Sequence, residues 1–189
     1  MDVVLADYPS RIHGEWCLFL GMEIMNVLRK DILQDKAFFS PGSTRLVHYG
    51  NRFEMLGELV DISQIIDCEN FAAHEIHNFN SVEPDILLFH KNPYIQNDVG
   101  TYFAGFPDLL VEVWSNSNGA EERKSKLNLY SSAPTTEHWY IEEDSDKVER
   151  WLGKTQLEPL SAKNKLVTQN GLELDISKFM TKLLEREQQ

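Results

Sequence analysis

The chain predicts an α/β fold in which a mixed β-sheet is flanked by helices. Three observations carry that expectation. A long helical pattern opens the chain, two apolar strands each begin with Pro-Asp, and a short helix follows the second of them. Antiparallel strands in the front half, joined to a crossover helix, require a sheet with both pairing senses.

Ser10 stands where an N-cap is wanted. Ile12, Trp16, Phe19, Leu20, Ile24, Val27 and Leu28 then recur at helical spacing to about Leu33. Glu15 and Glu23 share one side of that helix, and Glu23 is expected to face solvent. Ser40-Pro41-Gly42-Ser43 reads as a turn. Gly50-Asn51, between β-rich arms at 44–49 and 52–56, predicts a hairpin. Residues 62–82 show no clear period, and Ala72-Ala73-His74 fits a short helix or a loop. Residues 82–90 predict a strand. Residues 91–106, with Asn92-Pro93, Asn97-Asp98 and glycines, predict a loop. Residues 108–114 are the second Pro-Asp strand, 115–119 a turn and 121–131 a short helix. Residues 138–142 and 147–152 predict a strand pair, and Asp175 is expected to cap a last helix through Leu184. No repeat or linker divides the chain, so residues 1–189 are expected to form one domain.

Composition narrows the function classes. The formal net charge of −12 argues against a general nucleic-acid binder, because phosphate contacts need basic surface. The charge is uneven, however: residues 1–120 hold 7 Lys+Arg against 17 Asp+Glu, and residues 121–189 hold 11 against 13. A local cationic rim is compatible with that distribution. No apolar run is long enough to cross a membrane, and the first residues lack a secretory pattern. Cys17 and Cys68 have neither metal-type spacing nor a disulfide framework, so a cytoplasmic location is expected. His13, His48, His74, His77, His90 and His138 show no zinc-type grouping. Trp114, Trp139 and Tyr140 are expected in the core.

The acids in the two strands are the chemical signal, since carboxylates rarely enter core strands unless paired or bound to a cation. Asp108 and Glu112 lie on one face of a strand but about 13 Å apart, at about 3.3 Å per residue, and cannot share an ion. If strands 85–89 and 108–114 pair antiparallel, Asp85 meets Glu112 and Asp108 is sent toward Phe89. Asp85 and Glu112 are then the expected metal pair, with Asp108 a strand-start residue that binds loop amides or supports the site. Parallel pairing would reverse that choice. Lys124 and Lys126 face different sides of their helix; Lys126, one turn before Tyr130, is the expected inward lysine.

The same residues carry a family resemblance. Pro84-Asp85, the run Pro107-Asp108-Leu109-Leu110-Val111-Glu112-Val113-Trp114-Ser115, Lys126 with Tyr130, and Glu137-His138-Trp139-Tyr140-Ile141 together resemble the Uma-two family. Its members are restriction-endonuclease-like proteins of the PD-(D/E)xK nuclease superfamily. The likeness continues through Asn170 to Phe179 and spans most of residues 11–180. It implies a restriction-endonuclease-like core and a Mg²⁺- or Mn²⁺-dependent site, with Asp85 the motif aspartate and Glu112 the motif acid. Trp114 stands where the motif lysine would be, and the resemblance implies that Lys126 replaces it. Glu122 matches a helical acid four residues before that lysine, whereas Ser115-Asn116-Ser117-Asn118 departs from the family's Ser-Pro-Ser-Thr turn. The expected activity is hydrolysis of DNA phosphodiesters by metal-activated water, with Asp85, Glu112, Lys126 and Asp108 as candidate catalytic residues. The rival expectations are an inactive protein of this fold acting as an assembly or regulatory partner, and a phosphodiesterase of small nucleotides. A homodimer is expected, with Tyr94, Tyr102, Phe103 and Phe106 as interface candidates; the alternative for that segment is a flap folded over its own sheet.

Overall fold

Helix α1 (Arg11–Leu33) begins where the Ser10 backbone is extended, at φ −61° and ψ 158°, and the Ser10 hydroxyl accepts the His13 amide. The local rule that predicts this cap needs no tertiary information. The computed structural model describes residues 10–41, 46–48, 52–55, 58–61, 83–91, 94–97, 100–115 and 117–187, with side chains at 10–40, 83–91, 105–115 and 117–183. Residues 62–82, with the Ala72-Ala73-His74 segment, lie outside them.

After α1 come β1 (Phe38–Pro41), β2 (Leu46–His48), β3 (Arg52–Met55), β4 (Glu58–Asp61), β5 (Ile86–Phe89), β6 (Tyr94–Asn97), β7 (Gly100–Ala104) and β8 (Leu109–Trp114). Helix α2 (Ala120–Tyr130) follows, then β9 (Glu137–Glu142), β10 (Lys147–Leu152), β11 (Thr155–Ser161), β12 (Leu166–Val167), β13 (Glu173–Leu174) and α3 (Ser177–Glu187). The main sheet has the order β1-β5-β8-β9-β10-β11. Its pairs are antiparallel except β8 with β9, which α2 connects as a parallel crossover. The fold is thus the expected α/β arrangement, a mixed sheet with flanking helices.

Several local expectations fail. Ser40 and Pro41 belong to β1 rather than to a turn, because an edge strand can end on a proline without losing a ladder bond. β2 and β3 do not form a hairpin: β2 pairs parallel with β7, and β3 pairs with β4. Closing β3 on the arm that follows needs only a two-residue connection, which competes well with a turn at Gly50-Asn51. The strand expected over 82–90 is shorter, starting at Ile86 after Pro84. The loop expected over 91–106 contains a hairpin in which Tyr94 opposes Phe103 and Asn97 opposes Gly100. There the β-formers outweigh the turn residues, which fall before it and at its tip between Asn97 and Gly100. The side chains of Tyr94, Tyr102 and Phe103 lie outside the described set. β11 was not expected; its mostly exposed pattern and Pro159 suit a sheet edge rather than a core strand. The β10–β11 turn uses Gly153 at φ +54°, and an added Cβ would lie 3.0 Å from the Pro134 Cα.

Both faces of the sheet are covered. On one face Trp16, Leu20 and Ile24 of α1 pack with Ile86, Leu88, Leu109, Val111, Val113, Trp139 and Ile141, and with Met180 of α3. On the other, Tyr130 and Leu127 of α2 pack with Leu87, Phe89, Leu110, Trp114 and Tyr140. Each large apolar side chain buried this way contributes about 1.5–3 kcal/mol. Every residue of β8 is buried, and alternation sends its odd positions to α1 and its even positions to α2. Glu112, an even position, therefore points into the α2 layer.

Candidate active site

The antiparallel pairing of β5 with β8 sets the site. Ile86 pairs with Val111, so the next step of the ladder sets Asp85 opposite Glu112. The Val113 amide fixes that step by donating to Asp85 Oδ2 at 2.7 Å. From the α1 layer, His13 Nε2 reaches Asp85 Oδ1 at 3.0 Å. From the α2 layer, Lys126 Nζ donates to Glu112 Oε2 at 2.9 Å and the Tyr130 hydroxyl to Oε1 at 2.5 Å. Lys126 and Tyr130 meet the same carboxylate because they stand one turn apart. Two helices on opposite faces thus converge at the end of the sheet where β5 starts and β8 ends.

Electrostatics follow from this packing. Glu112 is only 2% exposed. Burial raises its pKa from 4.5 to about 7; Asp85 adds to the rise, while Lys126 and Tyr130 oppose it. Burial alone would lower Lys126, but the Glu112 charge and hydrogen bond raise it. His13 is raised from 6.5 to about 10, chiefly by its hydrogen bond to Asp85 and then by one with Cys17, against burial. Burial pushes the Cys17 thiol up. Burial thus outweighs the ammonium and hydroxyl partners of Glu112, and leaves it an acid whose charge the fold compensates incompletely.

The candidates do not all gather here. Asp108 lies at the other end of β8, where its Oδ2 accepts the His90 amide at 2.6 Å and the His90 ring Nδ1 lies at 3.1 Å. Glu122 reaches Lys126 at 3.6 Å and also accepts the Asn118 side-chain amide. Lys124 turns away and lines a cavity of about 280 Å³ behind α2 with His138, Tyr140 and Trp151. Burial lowers His138 to about 4. Trp114, Trp139 and Tyr140 are buried, as expected. Glu23 does not simply face solvent, since its carboxylate accepts the Asp175 amide at 3.1 Å and ties α1 to the segment before α3.

The sequence reading also missed a grouping. His13, Cys17 and Asp85 offer ligand atoms that all lie within 4.8 Å of one another, a group found among the described residues. The only signal in the sequence was the i, i+4 spacing of His13 and Cys17. Their partner Asp85 is 72 residues from His13, beyond the reach of spacing rules.

The family model Uma2, described as "Putative restriction endonuclease", matches residues 61–180. The chain belongs to the Uma2 family. A crystal structure described as that of "a putative nuclease belonging to DUF820" from Anabaena variabilis ATCC 29413 shares the fold of this Uma2 chain. The two match with a TM-score of 0.58 at 14% identity, over 95% of this chain and 87% of that one. No curated protein sequence matches the chain.

The donor set of the Uma2 chain fits a divalent cation. Two carboxylates stand at the same end of a strand pair, each oxygen keeps a lone pair beyond its hydrogen bond, and the Asp85 charge adds to the rise at Glu112, which a cation would relieve.

Proposed function

We propose that this Uma2 protein is a Mg²⁺-dependent nuclease that hydrolyses DNA phosphodiester bonds. The observation that carries this reading is a buried Glu112, bonded to Lys126, opposite Asp85. In the proposed site Asp85 and Glu112 would hold the ion. When bound, Mg²⁺ supplies a Lewis acid and lowers the pKa of its water. His13 and the Val113 amide orient Asp85, and Tyr130 orients Glu112. An ammonium has three donors, so Lys126 keeps donors beyond Glu112 for a phosphate oxygen or the attacking water. Holding the ion would keep Glu112 a carboxylate, since the cation's charge opposes the rise that burial causes. Asp108 has a structural role in this reading, because its carboxylate holds the chain at His90, at the other end of β8.

The reading includes one domain over residues 1–189, a cytoplasmic location and a twofold homodimer that would place two sites on a duplex. No helix among the described residues is long and apolar enough to cross a membrane. The net charge of −12 favours the rival reading, an inactive nuclease-fold partner. The deciding experiment incubates supercoiled and linear DNA with the protein and Mg²⁺ or Mn²⁺ at low salt. Cleavage that requires metal and disappears in both Asp85→Asn and Glu112→Gln supports the nuclease. Cleavage that survives both substitutions rejects the mechanism, and no cleavage by the native chain favours the inactive partner. A monomer mass by light scattering at micromolar concentration would remove the dimer.

A further inference from the structure

We propose that His13, Cys17 and Asp85 form a Zn²⁺ site at the edge of the acidic pair. His13 and Cys17 lie four residues apart on one face of α1, a rigid helix whose first turn is capped by Ser10. The third ligand comes from the start of β5. The three ligand atoms lie within 4.8 Å of one another, and His13 Nε2 and Asp85 Oδ1 are already 3.0 Å apart. Zinc bonds of about 2.0 Å to nitrogen or oxygen and about 2.3 Å to sulfur put tetrahedral ligands roughly 3.3–3.8 Å apart, so closing the group takes about an ångström of side-chain movement. Imidazole, thiolate and carboxylate are donors for Zn²⁺, whereas Mg²⁺ prefers oxygen alone. All three residues are half-buried, so an ion can reach them and still lose most of its water. Glu112 stands apart, held by Lys126 and Tyr130. Three protein ligands leave a fourth position for water.

Zinc binding here is independent of the nuclease reading. Its consequence is not: because Asp85 is shared, Zn²⁺ would displace Mg²⁺ from one of its two carboxylates, and that inhibition rests on the nuclease reading. The bland alternative is a His13–Asp85 ion pair with Cys17 as a filler.

The test titrates Zn²⁺ and Co²⁺ into reduced Cys68→Ser protein, in which Cys17 is the remaining thiol. The expected result is one ion per chain and, with Co²⁺, a thiolate-to-cobalt charge-transfer absorption. Adding Cys17→Ser should erase that absorption and weaken Zn²⁺ roughly 100-fold, the upper end of what losing even an outer-shell partner costs a metal site. Adding His13→Gln should weaken Zn²⁺ comparably. Circular dichroism establishes that each variant keeps its helices, and Cys17→Ala serves in place of a serine variant that does not. No bound ion, or Zn²⁺ affinity unchanged by both substitutions, overturns the site. Zinc binding without Mg²⁺-dependent cleavage leaves the site standing and removes the nuclease reading; cleavage without zinc binding does the reverse.

Discussion

Two glutamates of neighbouring strands are equally hidden and differently treated. Glu137 in β9 is 3% exposed and Glu112 in β8 is 2% exposed. Glu137 Oε1 receives Arg150 Nε at 2.8 Å, Arg150 Nη2 at 2.7 Å and the Trp139 indole at 2.8 Å, and Oε2 receives the Gln169 amide at 2.7 Å. Its charge is matched by a guanidinium, and its remaining acceptors are filled by the fold. Glu112 has one ammonium and one hydroxyl, and it faces a second carboxylate. Burial costs both groups hydration, but only the surroundings of Glu137 replace it in full. A buried acid ringed by donors is an internal strut. A buried acid left beside another acid has room for a cation, and the proposed function places Glu112 in that second class.

The sharpest way to break the comparison is on activity. Glu112→Gln should lower metal-dependent cleavage by about 10³-fold, the several kcal/mol that a bound metal supplies, in single-turnover assays on labelled DNA. Glu137→Gln should leave cleavage per folded molecule unchanged. Stability should respond in the opposite sense. Arg150→Met strands Glu137 without its charge partner and should cost about 3–5 kcal/mol in urea unfolding.

Proton linkage sharpens the contrast. The folded pKa of Glu112, about 7, lies above its ordinary 4.5, so the folded chain binds the extra proton between these values. Stability should therefore fall as pH rises from about 4.5 to about 7, by up to roughly 3 kcal/mol, and Glu112→Gln should flatten that slope. His13 works in a higher window. Its pKa is raised from 6.5 to about 10, so its contribution is full below 6.5 and is lost as pH rises through 10; His13→Gln should remove that loss. The smallest effect is expected at Asp108. Asp108→Ala should cost about 1 kcal/mol by freeing the His90 amide, with little change in cleavage.

What was legible in the sequence obeys local rules or direct pairing. Ser10 and the apolar period after it mark α1 because a cap and a helical face are read within a few residues. The run from Leu109 to Trp114 marks a strand buried on both faces. The repeated Pro-Asp, with antiparallel pairing, leads from residue numbers to Asp85 opposite Glu112. The losses have the opposite character. Tyr94 to Ala104 looks like a loop because Asn-Pro precedes it and Asn97, Asp98 and Gly100 interrupt it, while its strands depend on pairing with each other and with β2. β11 depends on β10 in the same way. His13 and Cys17 read as ordinary helix residues until the docking of α1 brings them to Asp85.

The sequence separations inside the site also set an order in time. The Lys126–Glu112 bond spans 14 residues, and the His13–Asp85 bond spans 72. Closing the longer loop costs roughly 1.5 kcal/mol more chain entropy. The acid–lysine half can thus form as soon as β8 and α2 meet, whereas the histidine half waits for α1 to find the sheet. The ribosome makes α1 before the strand that receives it, so synthesis and assembly run in different orders. An emerging chain holds His13 and Cys17 unpaired until Asp85 has followed, and the two halves of the site become one only when that helix docks.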